Sequence, residues 1–272
     1  MTTLQTPDRI TLPITTWLAP PPSRGTVLIV HGLGEHIGRY AHVAADLNAR
    51  GWNVVGYDQR GHGKAGGARG VIAQADDLLN DLAQVIDHVR TAQPPRLVLL
   101  GHSMGGAVVA RMVTGQGVWV RKVDAAVLSS PALDTGIKLP QKILLAVMHA
   151  LAPGVGVDNG LKAQFVARDP AVVAAYQSDP LVHRKVSARL VRFIIDAGAD
   201  ARRAAPSLAL RTLLFYAGED KLVSPEGSRA FAAAAPVAML TQHCYAPMYH
   251  ETLNDPDKAQ VLNLLGEWLT GV

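Results

Sequence analysis

Ser103 stands between glycines at 101 and 105 in LVLLGHSMGGAV, directly after the apolar run Leu97 to Leu100 and directly before a helical pattern. A hydroxyl is a weak nucleophile until a base takes its proton, and the base needs a third group to hold it in one tautomer. The chain supplies both partners in order, each after a strand-like apolar run: Asp220 in GEDK and His250 in HETLND. G-x-S-x-G is a short pattern and the chain holds 25 glycines, so its weight comes from the strand before it and the helix after it. A strand-to-helix turn too tight for flanking Cβ atoms would hold the Ser103 hydroxyl exposed at the end of a sheet. Asp134, which follows the sixth strand, competes with Asp220 for the orienting role. His243 falls inside a strand pattern, whereas His250 lies between the last strand and the last helix, where a base is expected.

Those residues need a scaffold that brings loop ends together. Candidate strands at 26–30, 53–57, 96–100, 123–128, 212–216 and 238–245 alternate with helical patterns at 40–50, 76–90, 107–114, 225–235 and 256–269. An N-terminal hairpin is expected over 9–18, closed by Pro20-Pro21-Pro22. Such alternation predicts an α/β fold, a mostly parallel sheet flanked by helices, with its site beyond the carboxyl ends of the strands. Residues 134–205 break the rhythm. They carry helical periodicity without a convincing strand and are expected to form a helical lid inserted after the sixth strand, the catalytic domain being 1–133 and 206–272.

Bulk composition narrows the function classes. The 272 residues are 49% hydrophobic and 18% charged, as in a folded globular domain. The formal charge of +4 is matched by residues 134–205, with ten Lys/Arg against six Asp/Glu. No basic run interleaves with aromatics, so nucleic acid is not an expected partner. The single Cys244 excludes an internal disulfide and a cysteine-based zinc site. With no apolar run long enough to cross a bilayer and no leader-like start, the chain reads as cytoplasmic.

HGLGEHIGRY at 31–40, DQRGHG at 58–63, GHSMGG at 101–106, SDPLVHRKV at 178–186, GEDKLV at 218–223 and HETLND at 250–255 resemble the monoacylglycerol lipase and lysophospholipase group of the α/β-hydrolase superfamily. GHSMGG and RGHG specify only the superfamily; GEH-x-x-RY and DPLV are narrower. Ala65 replaces the serine usual after RGHG, and the N-terminal strand lacks the usual Asp-Gly turn. The resemblance implies Ser103 as nucleophile, His250 as base and Asp220 as orienting acid. It also implies oxyanion donors in the backbone N–H groups of Met104 and Leu33, with no cofactor or metal. His31, Asp58 and Arg60 are expected to brace loops. The apolar stretch LPQKILLAVMHAL at 139–151 suggests an acyl-lining role for Leu144 and Met148, and peripheral membrane contact through the lid. The expected substrate is a small-molecule ester with a medium to long acyl chain, such as a monoacylglycerol or lysophospholipid. The same residues could serve a peptidase, a thioesterase or a cofactor-free haloperoxidase, and a non-catalytic ligand-binding relative is the reading from another class.

Overall fold

The computed structural model describes residues 2–272. Eight strands form one sheet: β1 (Thr2–Gln5), β2 (Thr11–Trp17), β3 (Gly25–Val30), β4 (Trp52–Tyr57), β5 (Leu97–His102), β6 (Ala125–Ser129), β9 (Thr212–Ala217) and β10 (Leu240–Tyr245), in the spatial order β1-β2-β4-β3-β5-β6-β9-β10. The pairings β1 with β2 and β2 with β4 are antiparallel, and all others are parallel. β3, β4, β5, β6 and β9 are buried along their whole length, which explains why they read as continuous apolar runs rather than alternating ones.

Helices cover both faces. On one side α2 (Asp77–Ala92), α3 (Met104–Thr114), α6 (Ala188–Ala204) and α7 (Pro225–Ala234) pack through Leu82, Ile86, Val108, Leu190 and Phe231. On the other, α1 (Ala41–Ala49) and α8 (Lys258–Thr270) pack through Val43, Leu47, Val261 and Leu265. This is the expected doubly covered sheet.

Two expectations are corrected. The N-terminal hairpin is not contained in 9–18: β2 takes up that stretch and pairs back onto β1 through a turn at Thr6 to Ile10, where Thr6 N–H donates to the Ile10 carbonyl at 2.9 Å. The triple proline lies beyond it. The inserted segment carries α4 (Leu139–Leu151) and α5 (Pro170–Ser178) but also two short antiparallel strands, β7 (Gly156–Asp158) and β8 (Lys185–Ser187). Three residues are too few to show a period of two, so the pattern could not reveal them. Within 134–205, α6 has its inner face in the same core layer as α3, and the stretch before it is bonded to the loops that follow β3 and β10, His183 N–H donating to the Gly34 carbonyl and Glu251 N–H to the Val166 carbonyl, both at 2.8 Å. Among the described residues no helix is long and apolar enough to cross a membrane.

Candidate active site

Ser103 occupies the single residue between β5 and α3, with φ 54° and ψ −120°. A side chain adopts that conformation only under constraint from its surroundings. The constraint is visible in the glycines. A Cβ at Gly105 would run into the Val30 and His31 carbonyl oxygens, and one at Gly101 into the backbone of Gly105. The loops after β9 and β10 bring the other two groups to this turn. His250 Nε2 lies 2.8 Å from Ser103 Oγ, and its Nδ1 lies 2.6 Å from Asp220 Oδ2. The second Asp220 oxygen accepts the N–H groups of Leu222 and Val223 at 2.9 and 3.1 Å, fixing the carboxylate. Asp134 is spent elsewhere, its Oδ1 accepting Gly136 N–H and its carbonyl accepting Ser224 N–H.

Burial opposes a charge on His250, but the Asp220 carboxylate beside it outweighs burial and leaves its pKa above the ordinary 6.5. His102, whose ring centroid is 4.8 Å from that of His250, is pushed down to about 4 by burial and by the neighbouring His250. Its Nδ1 is engaged with Ser129, and of the two rings only His250 is hydrogen-bonded to Ser103 Oγ. The amides of Leu33 and Met104 border the same cavity as Ser103, and neither donates a hydrogen bond among the described residues. The cavity measures about 170 Å³. Its walls are Ile137, Leu161, Val186, Val191 and Ile194 from the inserted segment and Leu222 and Val223 after β9, with Glu35, Thr135, Asn159 and Tyr176 as polar groups.

A family model described as serine aminopeptidase, S33, matches residues 21–257. The monoacylglycerol lipase of Mycolicibacterium smegmatis is 34% identical over 93% of this chain and 90% of its own length. The chain belongs to the monoacylglycerol lipase group of the α/β-hydrolases. Phospholipase YtpA of Bacillus subtilis is 32% identical over 90% of this chain and 95% of its own. The crystal structure of the Paleococcus ferrophilus monoacylglycerol lipase superposes with a TM-score of 0.86 at 31% identity, covering 96% of this chain and 98% of that one.

The narrower motifs of the monoacylglycerol lipase group lock the loops together. Arg39, from GEH-x-x-RY, forks onto both oxygens of Glu251 at 2.6 and 2.7 Å and reaches Glu35 at 2.7 Å. Glu35 also accepts the Gly32 N–H at 2.6 Å and the Tyr40 hydroxyl at 2.7 Å. Burial alone would raise the Glu35 carboxyl, and the Arg39 guanidinium holds it down at about 2. One cation therefore joins the loop that carries Leu33 to the loop that carries His250. The sequence shows this motif without assigning Glu35, Arg39 or Glu251 a role, because the contact that joins the two loops, Arg39 to Glu251, spans more than 200 positions.

Asp58 braces a loop, accepting the N–H groups of Ile37 and Lys64 at 2.9 and 2.8 Å. Arg60 is held by Asp8, Asp77 and Asp81. The acyl-lining assignment of Leu144 and Met148 is corrected: neither borders the cavity, and Leu144 is 62% exposed. α4 has no buried residue, since it lies outermost on the inserted segment, while α6 and the loops around β7 and β8 supply the walls.

Proposed function

We propose that this protein is a serine esterase that cleaves monoacylglycerols, lysophospholipid-like lipids or related acyl esters through an acyl-enzyme on Ser103. The observation that carries the reading is the hydrogen-bonded chain Ser103–His250–Asp220 opening into a cavity with two unspent backbone donors. Ser103 Oγ attacks the ester carbonyl while His250 Nε2 takes its proton. The Leu33 and Met104 N–H groups receive the developing oxyanion, and Asp220 stabilises the imidazolium. His250 then returns the proton to the departing alkoxide. Water, deprotonated by the same ring, releases the acid. No step calls for a metal or an organic cofactor.

The lining suits an amphiphile. Aliphatic walls favour the acyl chain, and Glu35, Thr135, Asn159 and Tyr176 offer partners to a hydroxylated leaving group. An aminopeptidase would need an unpaired carboxylate for a cationic α-amine, whereas Glu35 and Glu251 at this cavity are both ion-paired with Arg39. We assign the part of 134–205 that precedes α6 the role of a cap over the site, α6 itself lying in the core layer. The outer face of α4, with Leu139, Ile143, Leu144 and Leu151 more than half exposed beside Lys138 and Lys142, would rest on a lipid surface that presents the substrate.

The test is a substrate panel run on wild type and Ser103→Ala. Monoacylglycerols and medium-chain p-nitrophenyl esters should be hydrolysed well and an aminoacyl arylamide poorly. The alanine variant should lose about 10³ to 10⁶ of the rate and all labelling by a fluorophosphonate. A dominant arylamide rate, or activity that survives Ser103→Ala, overturns the reading.

A further inference from the structure

A trans peptide unit points its C=O and N–H in opposite directions, so whatever grips one aims the other. The Leu33 N–H shares its peptide with the Gly32 carbonyl, and that carbonyl is held by His31, whose Nδ1 lies 2.8 Å away. His31 Nε2 accepts the Gln59 N–H at 3.0 Å, so Nδ1 carries the proton and is the donor. Behind His31 stands His62, ring centroids 5.5 Å apart, and behind His62 stands His183, 4.8 Å further on. His31 and His62 belong to the core, and His183 to the inserted segment just before β8. Three imidazoles thus run from the segment above the site to the peptide that presents the Leu33 amide.

The far end is attached by its backbone as well. His183 N–H donates to the Gly34 carbonyl at 2.8 Å. Gly34 has φ +78°, and a Cβ there would lie 2.5 Å from the His183 carbonyl oxygen, so the two backbones are in contact. Asp179 and His36 close the same seam at 2.8 Å.

Tautomers distinguish this arrangement from ordinary packing. His62 Nδ1 donates to the Arg60 carbonyl at 2.9 Å, which leaves a bare lone pair on Nε2. His183 Nδ1 accepts the Lys185 N–H at 3.1 Å, which places its proton on Nε2. Both Nε2 atoms are buried and neither makes a well-formed hydrogen bond among the described residues, the Gly61 backbone acting only weakly on the His183 ring. One is an acceptor and the other a donor, on neighbouring rings tilted by 44°. Burial pushes both rings down, His183 to about 4, so both are neutral at working pH and this complementarity holds. A metal ion is a poor match for the pair, because binding through His183 Nε2 would put a proton on Nδ1, facing the Lys185 N–H.

We propose that His183 is a positioning residue for the Leu33 amide, coupling the seating of the inserted segment to the aim of one oxyanion donor through His62, His31 and Gly34. The proposal rests on the reading of Leu33 as that donor. Replacing His183 by Phe keeps a ring and removes both nitrogens, while His183→Gln keeps a donor near the Nε2 position. Loss of a whole oxyanion donor costs about 10²- to 10³-fold in kcat, so a misaimed one should cost roughly 10- to 100-fold.

The experiment measures kcat and KM for a p-nitrophenyl ester, affinity for an alkyl boronic acid, and the melting curve. His183→Phe should lower kcat and boronate affinity together, with KM within about twofold of wild type, because only tetrahedral species use the amide. His183→Gln should recover part of both. His62→Phe approaches the same coupling from the core side and should repeat the pattern, which keeps the test open if His183→Phe fails to melt cooperatively. Wild-type kcat and boronate affinity in both Phe variants would overturn the proposal. So would a loss equal in Phe and Gln variants and carried by KM. Ser103→Ala is run alongside: if it stays active, the functional reading itself has failed, and if it is inactive while the Phe variants are normal, only the coupling has.

Discussion

Arg39→Met removes one positive charge from between two buried carboxylates. The guanidinium makes three bonds of 2.6 to 2.7 Å, and the side chains of Arg39, Glu35 and Glu251 are 11%, 4% and 5% exposed. Methionine matches the length and flexibility of the stem, so the loss is of charge more than of volume. Breaking a buried ion pair by removing one partner costs about 3 to 5 kcal/mol, since the remaining charge has neither water nor counter-ion. With an unfolding entropy near 2.1 cal/mol/K per residue, 272 residues give about 0.57 kcal/mol/K, so the melting temperature should fall by roughly 5 to 9 °C. The pH dependence supplies the sharper check. In wild type the Glu35 pKa is depressed to about 2, so its contribution is complete above 4.5 and is lost as pH falls from there toward 2. Without Arg39, burial is the largest influence left and it raises the carboxyl, so protonation relieves the variant as the medium becomes acidic. Calorimetric melting at pH 7.5 and pH 5 should show the gap between wild type and variant narrowing at the lower pH. A shift under about 2 °C, or a gap that widens on acidification, would refute the account of Arg39 as the neutralising clamp.

Asp220→Asn should lower kcat by about 10² to 10⁴ by favouring the wrong His250 tautomer, and Asp134→Asn should change it little; the reverse ranking in steady-state kinetics would move the orienting role to Asp134. Because His250 must be neutral to accept the Ser103 proton and its pKa is raised, kcat/KM should climb with pH through a midpoint above 6.5. In Asp220→Asn burial is left to act without its main opponent, and the acid limb in a pH–rate profile should move to lower pH. Leu144→Glu places a charge on an exposed face outside the cavity. It should leave hydrolysis of a soluble ester and the melting curve unchanged, and slow hydrolysis of monoacylglycerol embedded in vesicles; equal rates on vesicles would remove the case for α4 as a lipid-facing surface.

The legible parts of this chain are those whose signal is local. β5 reads as a strand because its buried residues form one apolar run, and Ser103 reads as a nucleophile because the glycines its turn demands lie two residues to either side. Asp220 and His250 follow from their places after β9 and β10, and the structure brings both within hydrogen-bonding distance of their partners. Helical periodicity, by contrast, reports that a face is apolar and not what covers it. The stretch at 139–151 has such a face and points it outward, so Leu144 and Met148 resemble a cavity wall in sequence without forming one. The actual walls come partly from short irregular pieces with no pattern of their own, which carry Ile137 and Leu161, and partly from α6, whose Val191 and Ile194 border the cavity while its buried face packs in the core.

A motif also leaves unsaid what it binds. GEH-x-x-RY and DPLV-H lie some 140 residues apart, and nothing in their spacing declares that they meet. In the fold they interlock: His36 takes Asp179, Tyr176 lies over the Arg39 guanidinium with 4.9 Å to the ring centroid, and Gly34 accepts the His183 amide. The same first motif turns inward to Glu251, next in the chain to His250. Its residues therefore serve two contacts at once, one holding the inserted segment on the core and one holding the histidine loop beside the loop of Leu33. A substitution at Arg39 or Glu35 should disturb seating and alignment together, whereas a change at His183 meets the seating side alone and reaches the site only through Gly34 and the imidazole chain. Comparing KM and kcat effects across the two sets of variants separates those routes, because seating governs how substrate is enclosed and alignment governs what is stabilised once the carbonyl becomes tetrahedral.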